Sequence, residues 1–281
     1  MLELSAALYR KTEPWADFVP AGPEAVAEAL GGLLSSQLQA ACARIDPAEV
    51  GMNFVVSTML DLPFTSGWID WERIRRHTGR PDTPAFDSFV SAYECASWGY
   101  CLSYAKRFLR PGQYVAISVL DLNLFDFSYW HANPNWGSSG FGLSTLVFRL
   151  SADDRVECHI GKSINGFGEF CLDMRRCAQE DEGLTLIPPF FPHNIAAMYT
   201  KLIAEDRRLP NLTDLHGHCF GSDPWIALIG RHGANEIALQ DRYLATSVAL
   251  NGYWCFAELQ LAREGVFAFG EPVPTPLAVA A

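Results

Sequence analysis

Cys95 is the residue in this 281-residue chain whose position points most directly to chemistry. It opens the stretch Cys95-Ala96-Ser97-Trp98-Gly99-Tyr100, the start of a predicted helix over 96–109 that Pro111-Gly112 stops. A thiol at a helix start sits at the positive end of the backbone dipole, which favours the nucleophilic thiolate. The other role open to it is that of a buried structural cysteine. Cys101, six residues on, falls in the helix interior and reads as core. A cysteine nucleophile needs a proton acceptor, and Leu215-His216-Gly217-His218 supplies two imidazoles. On a strand, His216 and His218 would share a face, so spacing alone does not separate them; His218 is preferred. His131 and His193 stand at loop edges. Asn251, before Gly252, can donate an amide hydrogen bond to a carbonyl or cap the start of a helix.

These residues need a scaffold, and the apolar pattern outlines one. Helices are predicted over 23–43, 71–77, 96–109, 193–206 and 246–264, with another beginning near 224–231. Strands are predicted over 52–57, 86–90, 114–120, 143–150 and 215–220, with extended chain at 157–160 and from 266 onward. The run 114–120 is apolar throughout, as in a sheet buried on both faces. Residues 161–192 carry mixed signals and no assignment. Alternating strands and helices imply an α/β fold. Gly137-Ser138-Ser139-Gly140-Phe141-Gly142 reads as a tight turn, since it lacks the Lys-Ser/Thr of a phosphate loop and the spacing of a dinucleotide loop. The aromatic cluster Phe125, Phe127, Tyr129, Trp130 and Trp136 could pack a core, wall an acyl or aryl pocket, or meet a partner subunit.

Composition narrows the function classes. Apolar residues make up 49% of the chain and the net charge is −11, so it is globular and ill suited to tracking nucleic-acid phosphates. The arginines and lysines at 73–80 and 106–110 could form a local basic patch, but ordinary solvated helix faces explain them as well. No apolar run nears the roughly 20 residues that span a bilayer, and no secretory leader is evident, so no membrane role and a cytoplasmic location are expected. The eight cysteines show no CxxC spacing, so neither a metal site nor a disulfide framework is expected.

From Cys95 to Asp121 the sequence resembles the nucleophile helix and following strand of the β-ketoacyl-ACP synthase III branch of the thiolase superfamily. That family runs Cys-Ser-Gly-Phe-x-Tyr-Gly-Leu, a helix, Ser-Gly-Gln-Tyr and an apolar strand. Here the chain reads Cys-Ala-Ser-Trp-Gly-Tyr-Cys-Leu, a helix, Pro-Gly-Gln-Tyr and Val-Ala-Ile-Ser-Val-Leu. Leu215-His-Gly-His218 is similar to the family's Pro-His-Gln-Ala-Asn segment, and Leu250-Asn251-Gly252 to its Gly-Asn-Thr segment. Gly137-Ser-Ser-Gly-Phe-Gly is similar to its Gly-Asp-Gly-Ala-Gly turn. The pattern departs in four places. Three extra residues precede Cys95, and an ungapped reading would place Ala92 there. The turn lacks its aspartate, the Gln and Asn after the histidine are missing, and where the family continues with a Gly-rich loop this sequence has the stretch 271–281.

The resemblance implies a shortened and divergent thiolase-like fold, five-layered α/β/α/β/α, built from two similar halves. The first, 1–160, would carry the nucleophile, and the second, 161–281, the histidine and asparagine. It implies Cys95, His218 and Asn251 as catalytic residues. The activity implied is acyl transfer through an acyl-cysteine, in a polyketide- or fatty-acid-like pathway. CoA or phosphopantetheine thioesters would be substrates, with no permanently bound cofactor. Acyl-CoA or an acyl carrier protein would be partners, in a homodimer or a thiolase-fold heterodimer. A catalytically degenerate subunit of such a heterodimer is the alternative. A papain-like hydrolase shares the Cys, His, Asn order, but its cysteine lies near the mature N-terminus.

Overall fold

The computed structural model of the chain describes residues 2–151, 158–238 and 241–276. In chain order the main elements are β1 (Leu2–Lys11), α1 (Pro23–Ala41), β2 (Val50–Val56), β3 (Ser88–Val90), α2 (Ser97–Phe108), β4 (Tyr114–Asp121), β5 (Gly142–Arg149) and β6 (Cys158–Lys162). There follow α3 (Gly166–Glu180), β7 (Leu184–Ile187), α4 (His193–Thr200), α5 (Asp223–Gly233), β8 (Arg242–Val248) and β9 (Tyr253–Phe269). Among the described residues no helix is long and apolar enough to cross a membrane, and no group of metal-ligating side chains gathers.

The strands form a nine-stranded mixed sheet in the order β3-β2-β4-β5-β1-β9-β8-β7, with β6 also on β9. The 17-residue β9 joins the two halves. Its first residues lie between β8 and β6, and from Leu259 to Phe269 it runs parallel to β1. Alternate side chains face opposite layers. Cys255, Ala257, Leu259 and Leu261 join Tyr243 and Ala245 in a central core, whereas Trp254 and Phe256 join Leu244 and Val248 in an outer one. The central core holds α2 and α5, whose Trp98 and Trp225 meet edge to face with centroids 4.8 Å apart. Helix α1 covers the outer face of β1, β2, β4 and β5, and α3 and α4 cover the far face of β7 and β8. Helix α1, one half of the sheet, the helices α2 and α5, the other half of the sheet, and helices α3 and α4 make the five layers of a thiolase-like α/β fold.

Several predicted elements stand with small shifts: α1, α2, β2, β3, β4, β5 and the start of α5. Within the described residues the extended chain expected at 157–160 begins at Cys158, and the tail beyond 276 lies outside them. Three readings are corrected. The helix expected over 246–264 is the β8–β9 hairpin, turned at Asn251-Gly252, with Gly252 at φ +86°. The strand expected over 215–220 is a helical turn, Thr213–His216, broken by Gly217 at φ +72°; only a single bridge from His218 to Ser139 is sheet-like. The helix expected over 193–206 ends at Thr200, short of a separate turn at Glu205–Arg207. Three of these elements had no forecast: β1, which lies mid-sheet, the amphipathic α3 and β7.

Candidate active site

Cys95 and His218 reach the same cavity because the two central helices begin alike. A tight turn, Glu94–Ala96, runs straight into α2, and a second, Phe220–Ser222, runs straight into α5. Each is opened by a non-glycine residue in the left-handed region, Glu94 at φ +46° and Phe220 at φ +53°. Such backbone is strained for an L-residue and persists only where the surroundings enforce it. The two turns pack together. A Cβ on Gly221 would come within 3.2 Å of the Cys95 carbonyl oxygen and 3.0 Å of Val119 Cγ1, so a glycine there permits the approach.

The cavity above these turns has a volume of about 620 Å³. Cys95, His218 and Thr58 line it beside an aromatic wall that includes Trp130, Trp136 and Phe191. Trp130 and Trp136 stack at 6.0 Å, and the Trp136 indole N–H donates to Ser139 Oγ at 2.8 Å. The sequence's aromatic cluster therefore supplies part of a pocket wall, while Phe125 packs on Trp68.

The Cys95 thiol is buried, and the Thr58 hydroxyl lies 3.8 Å from Sγ as a weak donor. Burial pushes the thiol well above its ordinary range, and the carboxylates of Asp121 and Glu94 push it further. This reverses the dipole-based expectation of a ready thiolate. A helix start contributes less than one pKa unit in favour of the anion, whereas full burial can cost three or more. The resting thiol is therefore protonated.

His218 is 3% exposed and clamped between Phe191, stacked at 5.0 Å, and Phe220 at 4.8 Å. Its Nδ1 lies 2.7 Å from Asp223 Oδ2, at an angle short of a well-directed hydrogen bond. Asp223 has no solvent exposure and is held by two backbone donors, Cys219 N–H to Oδ1 at 2.6 Å and Phe190 N–H to Oδ2 at 2.8 Å. A carboxylate fixed beside Nδ1 keeps a proton there and leaves Nε2 as the basic nitrogen. His216 is elsewhere. Its ring stacks between Phe190 and Phe269, and burial lowers its pKa. His131 pairs with Asp126, and His193 is exposed at the start of α4.

Asn251 sits on the β8–β9 hairpin at the rim of the cavity, and its side chain is exposed. Its amide donates to the Ala92 carbonyl at 3.2 Å, and its backbone N–H to Glu94 Oε2 at 3.4 Å. It thus pins the hairpin to the loop that carries Cys95. Four residues that sequence reasoning passed over shape the site: Thr58, Glu94, Asp121 and Asp223. Asp121 ends the otherwise apolar β4, is buried, and accepts from Thr58 N–H at 2.7 Å; burial raises its pKa to about 6. A lone acid closing an apolar strand was a signal available in the sequence. Asp223, ahead of Pro224, has the pattern of an ordinary helix start.

No protein-family model and no curated sequence matches the chain. Solved structures do match in three dimensions. ChlB3, described as an acyltransferase, superposes with a TM-score of 0.66 at 13% identity, over 94% of this chain and 99% of its own. A priming β-ketosynthase of the R1128 polyketide pathway gives 0.61 at 14% identity, over 93% and 96%. The 3-oxoacyl-(acyl carrier protein) synthase III of Pseudomonas aeruginosa gives 0.59 at 15% identity, over 93% and 98%. These likenesses show that the chain has the fold of the 3-oxoacyl-(acyl carrier protein) synthase III structures.

Proposed function

We propose that the protein is an acyltransferase that carries its acyl group as a thioester on Cys95. The observation that carries this reading is the pairing of a buried thiol and an Asp-held imidazole, Cys95 and His218, at the floor of one aromatic-walled cavity. In the first half-reaction His218 Nε2 takes the thiol proton as Sγ adds to the carbonyl carbon of a donor thioester. Asp223 stabilises the imidazolium. The donor's C–S bond then breaks, and the imidazolium protonates the departing thiol of CoA or phosphopantetheine. In the second half-reaction an acceptor attacks the acyl carbonyl, and Cys95 leaves and recovers its proton. The names of the structural neighbours, an acyltransferase, a carrier-protein synthase III and a priming ketosynthase, support the same class of chemistry. Asn251 belongs to this reading as the rim residue that fixes the Cys95 loop, and a dimer with itself or a second thiolase-fold chain as its assembly.

The test is intact mass after incubation with acyl-CoA and acyl-carrier thioesters, beside Cys95→Ala. A gain of one acyl group, absent in the variant, is the expected result. A folded protein that gains no mass from any donor refutes the proposal and favours a degenerate subunit.

A further inference from the structure

The acyl cavity does not end at Cys95. A second cavity of about 610 Å³ adjoins it, and Thr58, Glu94, Tyr129, Trp130 and Asn251 line both. The first joins the aromatic wall to Cys95 and His218. The second brings Asp61, Ser91 and Glu94 together, and the Ser91 hydroxyl donates to Asp61 Oδ1 at 2.9 Å. Among the described residues that line the two cavities there is no lysine or arginine. Asp121 lines neither, but its buried carboxylate accepts from the N–H of Thr58, which lines both.

Resting on the acyl-cysteine reading, we propose that the second cavity admits the acyl acceptor, and that this acceptor is a primary amine arriving as its ammonium ion. A malonyl-type acceptor would bring a carboxylate beside Glu94 and Asp61 with no fixed cation opposite, and a like charge placed there is disfavoured. An ammonium ion meets the opposite situation: two carboxylates attract it, and Glu94 stands between its cavity and the thioester. Burial raises the Glu94 pKa, which makes it a better proton acceptor than an ordinary carboxylate. The step balances without further reactants. R–NH3+ gives one proton to Glu94, and the free amine adds to the acyl carbonyl. As the C–S bond breaks, the second ammonium proton passes through His218 to Cys95. The products are an amide, the free thiol and protonated Glu94.

The experiment uses the whole 281-residue chain and reads the two half-reactions separately. Cys95 is loaded from butyryl-CoA and verified by intact mass. The acyl-enzyme is then mixed with benzylamine, benzyl alcohol or malonyl-CoA, and loss of the acyl mass is timed while products are identified. The expected result is N-benzylbutyramide formed at least tenfold faster than discharge by the alcohol or by malonyl-CoA. Because amines attack thioesters more readily than alcohols do in any setting, the deciding quantity is the amine-to-alcohol ratio across variants. Glu94→Gln and Asp61→Asn should each lower that ratio tenfold or more. A variant that merely misfolds loses both discharges together and leaves the ratio alone. Faster discharge by malonyl-CoA or by the alcohol overturns the inference, as does an undiminished ratio in Glu94→Gln. Failure to load Cys95 from butyryl-CoA or from any other acyl-CoA or acyl-carrier thioester overturns the acyl-transfer reading itself, which is a different result at a different step.

Discussion

Replacing Asp223 with asparagine tests the His218 arrangement where it is most constrained. The wild-type carboxylate accepts from Cys219 N–H at 2.6 Å and Phe190 N–H at 2.8 Å, and lies 2.7 Å from His218 Nδ1, all without solvent exposure. Asparagine has one oxygen. The new NH2 faces Cys219 N–H at the Oδ1 position, or Phe190 N–H and His218 Nδ1 together at the Oδ2 position. If it faces the backbone, a buried donor goes unsatisfied, which costs about 1–3 kcal/mol. At this chain length that corresponds to a fall in Tm of roughly 2–10 °C. If it faces Nδ1, the ring must turn to its other tautomer, and Nε2 then carries the proton it should be accepting. A comparable tautomer error elsewhere lowers rates by about 10⁴. The expected outcome is therefore a modest loss of Tm with single-turnover acylation of Cys95 slowed by about 10²–10⁴, followed by intact mass. Acylation within threefold of wild type in a folded Asp223→Asn protein would refute the argument that Asp223 orients His218.

Two further outcomes follow from the buried charges. Asp121 titrates at about 6 in the fold against 3.8 in the unfolded chain. The native state therefore holds more protons than the unfolded state between those values, so stability falls as pH rises through that window, by about 3 kcal/mol in all. Thermal melts of Asp121→Asn should lack most of the loss that wild type shows between pH 4 and pH 7, and parallel curves for the two proteins would count against it. Burial also holds the Cys95 thiol protonated at neutral pH, so alkylation of Cys95 by iodoacetamide, located by peptide mass, should be slow at pH 7.5 and still climbing above pH 9. A rate that levels off below pH 7 would indicate a preformed thiolate and contradict the assignment.

The parts of the fold legible in the sequence are those whose local pattern and tertiary role agree. Residues 114–120 are apolar on both sides because the strand is covered on both faces, and Pro23 with Gly22 marks the start of α1 as it would in any context. The hairpin was missed where the two levels conflict. Ala257-Glu258-Leu259-Gln260-Leu261-Ala262-Arg263-Glu264 consists of strong helix formers, yet it forms the middle of β9. Pairing with β1 and β8 buries Ala257, Leu259 and Leu261 on one face, and long-range burial outweighs the few tenths of a kcal/mol per residue that propensity offers. The Asn251-Gly252 pair was the local sign of the hairpin.

By itself the sequence determined a cysteine at the entry to a helix, the strand after it and an α/β fold, because each depends on neighbours within a few turns of chain. Only the tertiary structure decided which histidine lines the cavity. Gly217 turns the chain so that His216 stacks on Phe190 and Phe269, while His218 reaches the cavity with Asp223 behind it. The ionisation of Cys95 was decided there too. A helix start acts locally and was visible in the order of residues. Burial and the field of Asp121 and Glu94 arise only when β4, α2 and α5 meet, and together they outweigh the pull of the helix start.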